Sequence, residues 1–158
     1  MLNRNNAAFE AMKKTGRDWE EKRAAHQEKK QGIIDTSGWD SEELKAWYAE
    51  KEAMKFPFTQ GESKAYRAWA ETISRGEDEL EMSDFLFDTE VEDFIKTLRK
   101  AGIPTMVYTN TSTAVMENIH HFAALGCTMT GLCTITRKES RWGGEEEARI
   151  QGIRFRIN

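Results

Sequence analysis

Four sets of residues in this chain of 158 have types and spacings that could support chemistry or binding. The first is Asn110, Thr111, Ser112 and Thr113, a polar cluster between a β-prone run and a helical one. A strand feeding a helix leaves unpaired N–H groups and a positive dipole end at the carboxyl edge of a sheet, where anions bind. The cluster lacks the glycines and lysine of a P-loop or dinucleotide fingerprint, and helix capping alone explains its Ser/Thr content. The second set is Glu117, His120 and His121. Adjacent histidines on a helix point about 100° apart, so only Glu117 and His121 could share a metal, and a structural zinc needs four ligands. The third is Cys127 and Cys133, which six positions along one strand hold about 20 Å apart, beyond the roughly 6 Å of a disulfide. Both fall on the expected core face, where cysteine is an inert small hydrophobe. The fourth is Arg137, Lys138, Arg141, Arg149, Arg154 and Arg156, a basic set that could meet phosphates. No Ser-His-Asp order, HExxH or paired-carboxylate motif accompanies them. The expectation is a protein that is not an enzyme, with no catalytic residue, metal or cofactor.

The elements that position these sets lie in Asp88–Ile157. Val91, Phe94, Ile95 and Leu98 recur at i, i+3, i+4, i+7, one apolar helical stripe. Thr89 and Glu92 read as a capping box at its start; Gly102, Ile103 and Pro104 read as a left-handed stop with Ile103 touching Leu98. Thr105–Thr109 is β-prone and of strand length. A second helix follows with Val115, Met116, Ile119, Phe122 and Ala123 on one face and Gly126 as its stop. Two strands close the unit, Cys127–Lys138 and Arg149–Ile157, joined by a loop over Glu139–Ala148. A bulge is expected near Gly152, where the apolar phase slips.

Connection rules then predict that the strand–helix–strand unit is parallel with a right-handed crossover, and that the final strand returns antiparallel. The fold class is α+β: amino-terminal helices, then an α-β-α-β-β unit, or β-α-β-α-β-β if Leu80–Phe87 is a strand, with two helices on one face of a small mixed sheet. Phe94, Leu98, Ile119, Phe122, Ile153 and Phe155 should meet in its core. The opposite face should show Thr105, Thr109, Thr128, Thr130, Thr134, Thr136, Arg154 and Arg156.

The chain divides into a loosely packed helix over 1–31, a two-helix segment over 39–76, and the α/β domain over 77–158. Asn3–Lys30 is helix-prone, but Phe9, Met12 and Trp19 are its only large apolar residues and Gly16 interrupts it. Gly32–Gly38 reads as a linker. Asp40 with Glu43, and Trp39 with Leu44, read as a box and staple for the next helix, which Pro57 ends. Thr59 and Glu62 cap a third helix with a stripe of Tyr66, Trp69, Ala70 and Ile73 and a stop at Gly76.

The net charge of −4 is unevenly spread. Met1–Gly32 has eight basic residues against five acidic, Glu77–Asp93 has nine acidic and no basic, and Cys127–Asn158 has six basic against four acidic. No apolar run approaches 18 residues and Met1–Ala25 is charged throughout, so the expectation is a soluble cytoplasmic protein with no membrane contact.

Asp93–Phe94, Leu98–Arg99, Ala101–Gly102–Ile103, Ser112–Thr113, Met116–Glu117, Gly126–Cys127 and Gly131–Leu132 resemble a family of domain-of-unknown-function proteins from Gram-positive bacterial accessory and mobile-element genomes. The resemblance covers about 88–134 and implies a fold and a genomic setting, with no activity attached. The order with a strand at Leu80–Phe87 is similar to the carboxy-terminal domain of translation initiation factor 3 and other small nucleic-acid-binding domains, an analogy of fold alone. Two functions follow as expectations. The first is a protein-interaction module carried by a mobile or accessory element, as an inhibitor or regulator. The second is a nucleic-acid-binding domain using the Thr/Arg sheet face, which the acidic balance disfavours.

Overall fold

A computed structural model describes residues 1–158, the side chain of Arg141 excepted. The element order is α1 (Ala7–Ser37), α2 (Glu42–Ala53), α3 (Gln60–Ser74), β1 (Leu80–Met82), α4 (Asp88–Lys100), β2 (Thr105–Tyr108), α5 (Val115–Ala124), β3 (Thr128–Arg141) and β4 (Gly144–Arg156). This is the α+β class read from the sequence, with the undecided stretch contributing the short strand β1. Contacts divide the chain into two units, Glu10–Phe58, and Met1–Phe9 with Thr59–Asn158.

Within Glu10–Phe58, α1 runs unbroken through Gly16 and Gly32 and stops only at Gly38, whose φ is +84°. The expected interruption and linker are both helical. A glycine costs about 1 kcal/mol in a helix interior, which one stretch of favourable neighbours offsets. Few aliphatic residues hold α1 to α2. Instead the Trp47 indole N–H donates to the His26 carbonyl at 2.8 Å, the two rings stack at 4.6 Å, and the ammonium groups of Lys30 and Lys51 lie 5.2 and 5.5 Å from the Trp47 ring. Aromatic faces covered by lysine stems bury area that an apolar-stripe search does not see. The cap of α2 is Ser41, whose hydroxyl accepts from the Leu44 N–H at 3.2 Å; Asp40 stands one residue outside. Trp39 is exposed, so the expected staple does not form.

In the other unit the sheet order is β1-β2-β4-β3, with β1 parallel to β2 and β4 antiparallel to both its neighbours. The parallel pair is therefore β1–β2. β3 runs in the direction of β2, but β4 lies between them. Phe122 on α5 meets Tyr108 and Phe155 edge-on at 5.3 Å each, and with Phe94, Leu98, Leu80 and Met106 it is completely or almost completely buried. Of the expected core, Ile119 and Ile153 are only half-buried.

Helix ends follow the chain's glycines. After α4, Gly102 (φ +67°) donates to the Arg99 carbonyl and Ile103 to that of Leu98, both at 2.9 Å, the paired bonds of a left-handed stop. The α3 box at Thr59 and Glu62 is present as read, with bonds of 3.2 and 2.8 Å. The α4 box is not: Glu90 reaches back to the Phe87 N–H at 2.9 Å, so the helix starts before Thr89, while Glu92 pairs with Lys96. The buried stripe of α3 is Gly61, Ala65, Ala68, Trp69 and Thr72, rotated from the expected one. Gly61 explains the rotation, because a Cβ there would stand 2.2 Å from the Glu90 carbonyl oxygen; small residues let α3 and α4 approach closely.

The first nine residues belong to this unit in more than sequence. Phe9 is fully buried and stacks on Trp69 at 5.0 Å, and Leu2 N–H donates to the Asp78 carbonyl at 2.8 Å. That part of the amino-terminal helix is firmly held.

β3 and β4 form a hairpin far longer than expected. The presumed loop Glu139–Ala148 is strand on both sides, from Glu139↔Glu146 down to Arg141↔Gly144, leaving Trp142 and Gly143 as the turn. The bulge lies in β3 between Met129 and Gly131, not at Gly152. Gly152 instead marks a close approach, since a Cβ there would meet Val107 Cγ1 at 2.6 Å. The misplaced bulge changes the faces. Past Gly131, Cys133, Ile135 and Arg137 share a face with Arg154, whereas Leu132, Thr134, Thr136 and Lys138 lie on the face of Ile153 and Phe155.

Candidate functional site

The six basic residues do not form one surface. Arg137, Arg154 and Arg156 are on one face, Lys138 and Arg149 on the other, and the side chain of Arg141 lies outside the described residues. Arg154 is occupied: its guanidinium donates to Glu79 at 2.8 and 2.9 Å, and that carboxylate raises its pKa further above the ordinary arginine value. Arg137 donates through Nη2 to both oxygens of Glu81. Lys138 stands opposite Glu147 in the ladder, and Arg149 shares its face with Glu145 and Glu147.

Glu81 is the centre of the largest polar constellation. Its side chain is 1% exposed and also accepts from Arg75 at 2.8 Å and from the Thr109 hydroxyl at 2.6 Å. Arg75 in turn binds Glu77 at 2.9 Å. A flat sheet would leave Arg137 about 24 Å from Glu81, three strands across and six residues along, so the contact requires the hairpin to coil over the sheet face. The acidic tract that looked like a solvated surface is therefore partly a set of internal partners for arginines. Sequence offers no signal for the pairing of positions 81 and 137.

A second constellation ties the Ser83–Phe87 connector to the sheet and α5. Asn118, fully buried, accepts from the Leu86 N–H at 3.0 Å and the Tyr108 hydroxyl at 2.6 Å and donates to the Leu86 carbonyl at 2.7 Å. Burial, aided by Asp84, pushes the Tyr108 phenol up to about 12. The signal was present in the sequence: Val115, Asn118, Ile119 and Phe122 keep helical spacing, with a polar residue inside the stripe. Met116, assigned to that stripe, is exposed. Nearby, Lys64 Nζ is held by the Phe85 carbonyl at 2.8 Å and Glu90 at 2.7 Å and lies 4.8 Å from the Phe85 ring. Lys64 and Asn118 thereby fasten the connector to α3, α4 and α5.

The Asn110–Thr113 loop leaves the end of β2 and shapes itself. Asn110 Oδ1 accepts from the Ser112 N–H at 2.9 Å, and its Nδ2 donates to the Ser83 carbonyl at 3.0 Å. Helix α5 starts after Ala114 with no side-chain cap, so the Ser/Thr cluster does not serve as one. Thr111, Ser112 and Thr113 are exposed. His121 Nδ1 lies 3.7 Å from Asp88, and no His, Cys, Asp and Glu grouping among the described residues could hold a metal ion. Burial raises both thiols, the opposite of what a nucleophile needs.

What remains open is the outer edge of the hairpin. β3 ends the sheet and carries no charge from Thr128 to Thr136; Leu132 is 82% exposed, and Trp142 at the turn is fully so. Among the described residues, no helix is long and apolar enough to cross a membrane. No curated protein and no solved structure matches the chain. Residues 64–157, which run from α3 through the end of β4 and make up more than half of the chain, match the model of the domain of unknown function DUF7698, and the chain belongs to that family.

Proposed function

We propose that this chain is a protein-interaction module that receives an extended polypeptide segment on the free edge of β3. The observation that carries this reading is the edge itself: 14 residues long, uncharged over its first nine, with Leu132 exposed. An edge strand presents a row of unpaired N–H and C=O groups, and strand addition uses them for affinity while alternate side chains give specificity. Soluble proteins blunt such edges with inward charges, prolines or short strands, and between Gly131 and Thr136 β3 has none of these. On this reading the module is a cytoplasmic inhibitor or regulator carried by a mobile or accessory element of a Gram-positive genome.

The pairing of Arg137 with Glu81 and Arg154 with Glu79 weighs against a nucleic-acid role, because neutralised guanidiniums release few counterions from a phosphate backbone. The test is a photo-crosslinking residue at Leu132 in the full chain, expressed in its native host, with one at Tyr48 on α2 as the control. A polypeptide adduct specific to Leu132 is expected. Equal adducts from both positions, or none from Leu132, would overturn the reading. A gel shift with RNA or DNA at about 50 mM salt would revive the phosphate-binding alternative.

A further inference from the structure

We infer that the segment seated on β3 is the β3 strand of a second copy of this chain, related by a two-fold axis through the middle of the strand; this rests on the reading of β3 as a docking edge. Three observations point to a second copy. The first is symmetry. The sheet has two ends, but only one is open: β1 is three residues long with every residue buried, and the Glu81 N–H on it already donates to the Thr72 hydroxyl of α3 at 3.1 Å. A head-to-tail joining of β3 to β1 is thereby excluded. An edge that can pair only with its own kind gives a closed dimer and no growing fibre.

The second observation is register. In a continuous antiparallel sheet, directly opposed residues point to the same face, so the axis passes through a residue. Registers that use most of Thr128–Arg141 centre it on Thr134 or Ile135. With Thr134 at the centre, Cys133 of one copy opposes Ile135 of the other, and Leu132 opposes Thr136. These are apolar and β-branched pairs of the kind that stabilise sheets.

The third is charge. In that register Arg137 opposes Gly131, and beyond the bulge Lys138 and Glu139 meet the uncharged Met129 and Thr128, so no like charges face each other across the new ladder. The bulge between Met129 and Gly131 falls near one end of the strand, leaving the ladder from Gly131 onward regular. Leu132, the most exposed aliphatic residue of the strand, then stands beside the axis, where the centre of an interface buries apolar side chains.

Sedimentation equilibrium of the full chain, over a hundredfold range of concentration, tests this directly. The wild-type chain is expected to be a dimer at the upper end. Thr134→Lys, which sets two ammonium groups against each other at the axis, is expected to weaken the dimer at least tenfold while leaving the circular dichroism spectrum and melting of the diluted monomer unchanged. Thr136→Lys, which sets an ammonium group against Leu132 of the other copy, serves as the second variant if the first folds poorly. A wild-type chain that stays monomeric throughout, or a dimer indifferent to both lysines, overturns the inference. The Leu132 crosslink separates this from the broader reading: an adduct of twice the chain's own mass accords with a second copy. A monomeric chain whose Leu132 adduct contains a different polypeptide retains the docking edge and loses the self-pairing. A monomer with no adduct loses both.

Discussion

The two ends of the sheet are built by opposite rules. At β1 the strand is short, all three side chains are buried, and α3 covers the edge with a threonine hydroxyl as the acceptor for an outward N–H. At β3 the strand is long, alternates between exposed and half-buried residues, and has no neighbour beyond it. The first end gains stability from packing and from satisfied polar groups. The second is held mainly by one ladder and by the reach of Arg137 back to Glu81. A single sheet thus carries a closed structural edge and an open one, and the difference teaches where stability ends and availability begins.

The sharpest way to break the comparison is to attack the closed side. Phe122→Ala removes a ring wedged between Tyr108 and Phe155 and should cost about 3–5 kcal/mol in denaturant melts. A loss below about 1 kcal/mol would show that the core lies elsewhere. Glu81→Ala comes next, because it strands the Arg137 guanidinium and takes one of two close carboxylates from Arg75, which keeps Glu77. Arg75 and Arg137 are 24% and 20% exposed, so water offsets part of the loss and about 2–3 kcal/mol is expected. This variant should also speed hydrogen exchange in Thr134–Arg141 more than in β2, if the Glu81 contact is what holds the hairpin arm down.

Tyr108 gives a smaller effect with a defined sign. Its phenol keeps its proton to about pH 12 in the folded chain, against 10 when exposed. The folded state therefore binds the proton more tightly, and stability that is complete below pH 10 falls as the pH rises toward 12. Melting temperatures of wild type and Tyr108→Phe between these values should diverge, the wild type losing more. The smallest effect belongs to the open edge. Leu132→Ala should change monomer stability by less than about 0.5 kcal/mol, since the side chain is 82% exposed. A larger loss would mean that this edge, too, is part of the core.

Legibility followed the range of the interactions. The α4 stop at Gly102 and Ile103, the α3 capping box and the phases of Phe94, Leu98, Phe122 and Phe155 are written in neighbours a few residues apart, and sequence reading found them. The α4 start is not legible because Glu90 reaches the Phe87 N–H while held by Lys64, and the buried Leu86, bonded to Asn118, fixes the chain just before it, both of which are distant contacts. The outer half of the hairpin is hidden in sequence because Glu139–Ala148 is rich in charge and glycine, which reads as loop, although paired strands in water tolerate both. The site residues suffered most. Arg137 and Arg154 look free in sequence, and only folding brings Glu81 and Glu79 to them across 56 and 75 residues.

One consequence of the Glu81 constellation concerns variation within the family. One carboxylate serves Arg75 from the end of α3, Thr109 from the end of β2 and Arg137 from the hairpin, so its loss leaves Arg137 without its anion and Arg75 with Glu77 alone. A lineage that loses the acid must lose or re-pair Arg137 and leaves Arg75 to Glu77, and one that loses an arginine relaxes the demand for the acid. Positions 75, 81 and 137 should therefore drift together. Chains that keep the triplet should keep the coiled hairpin, while those that have shed it should show shorter or differently placed β3–β4 arms.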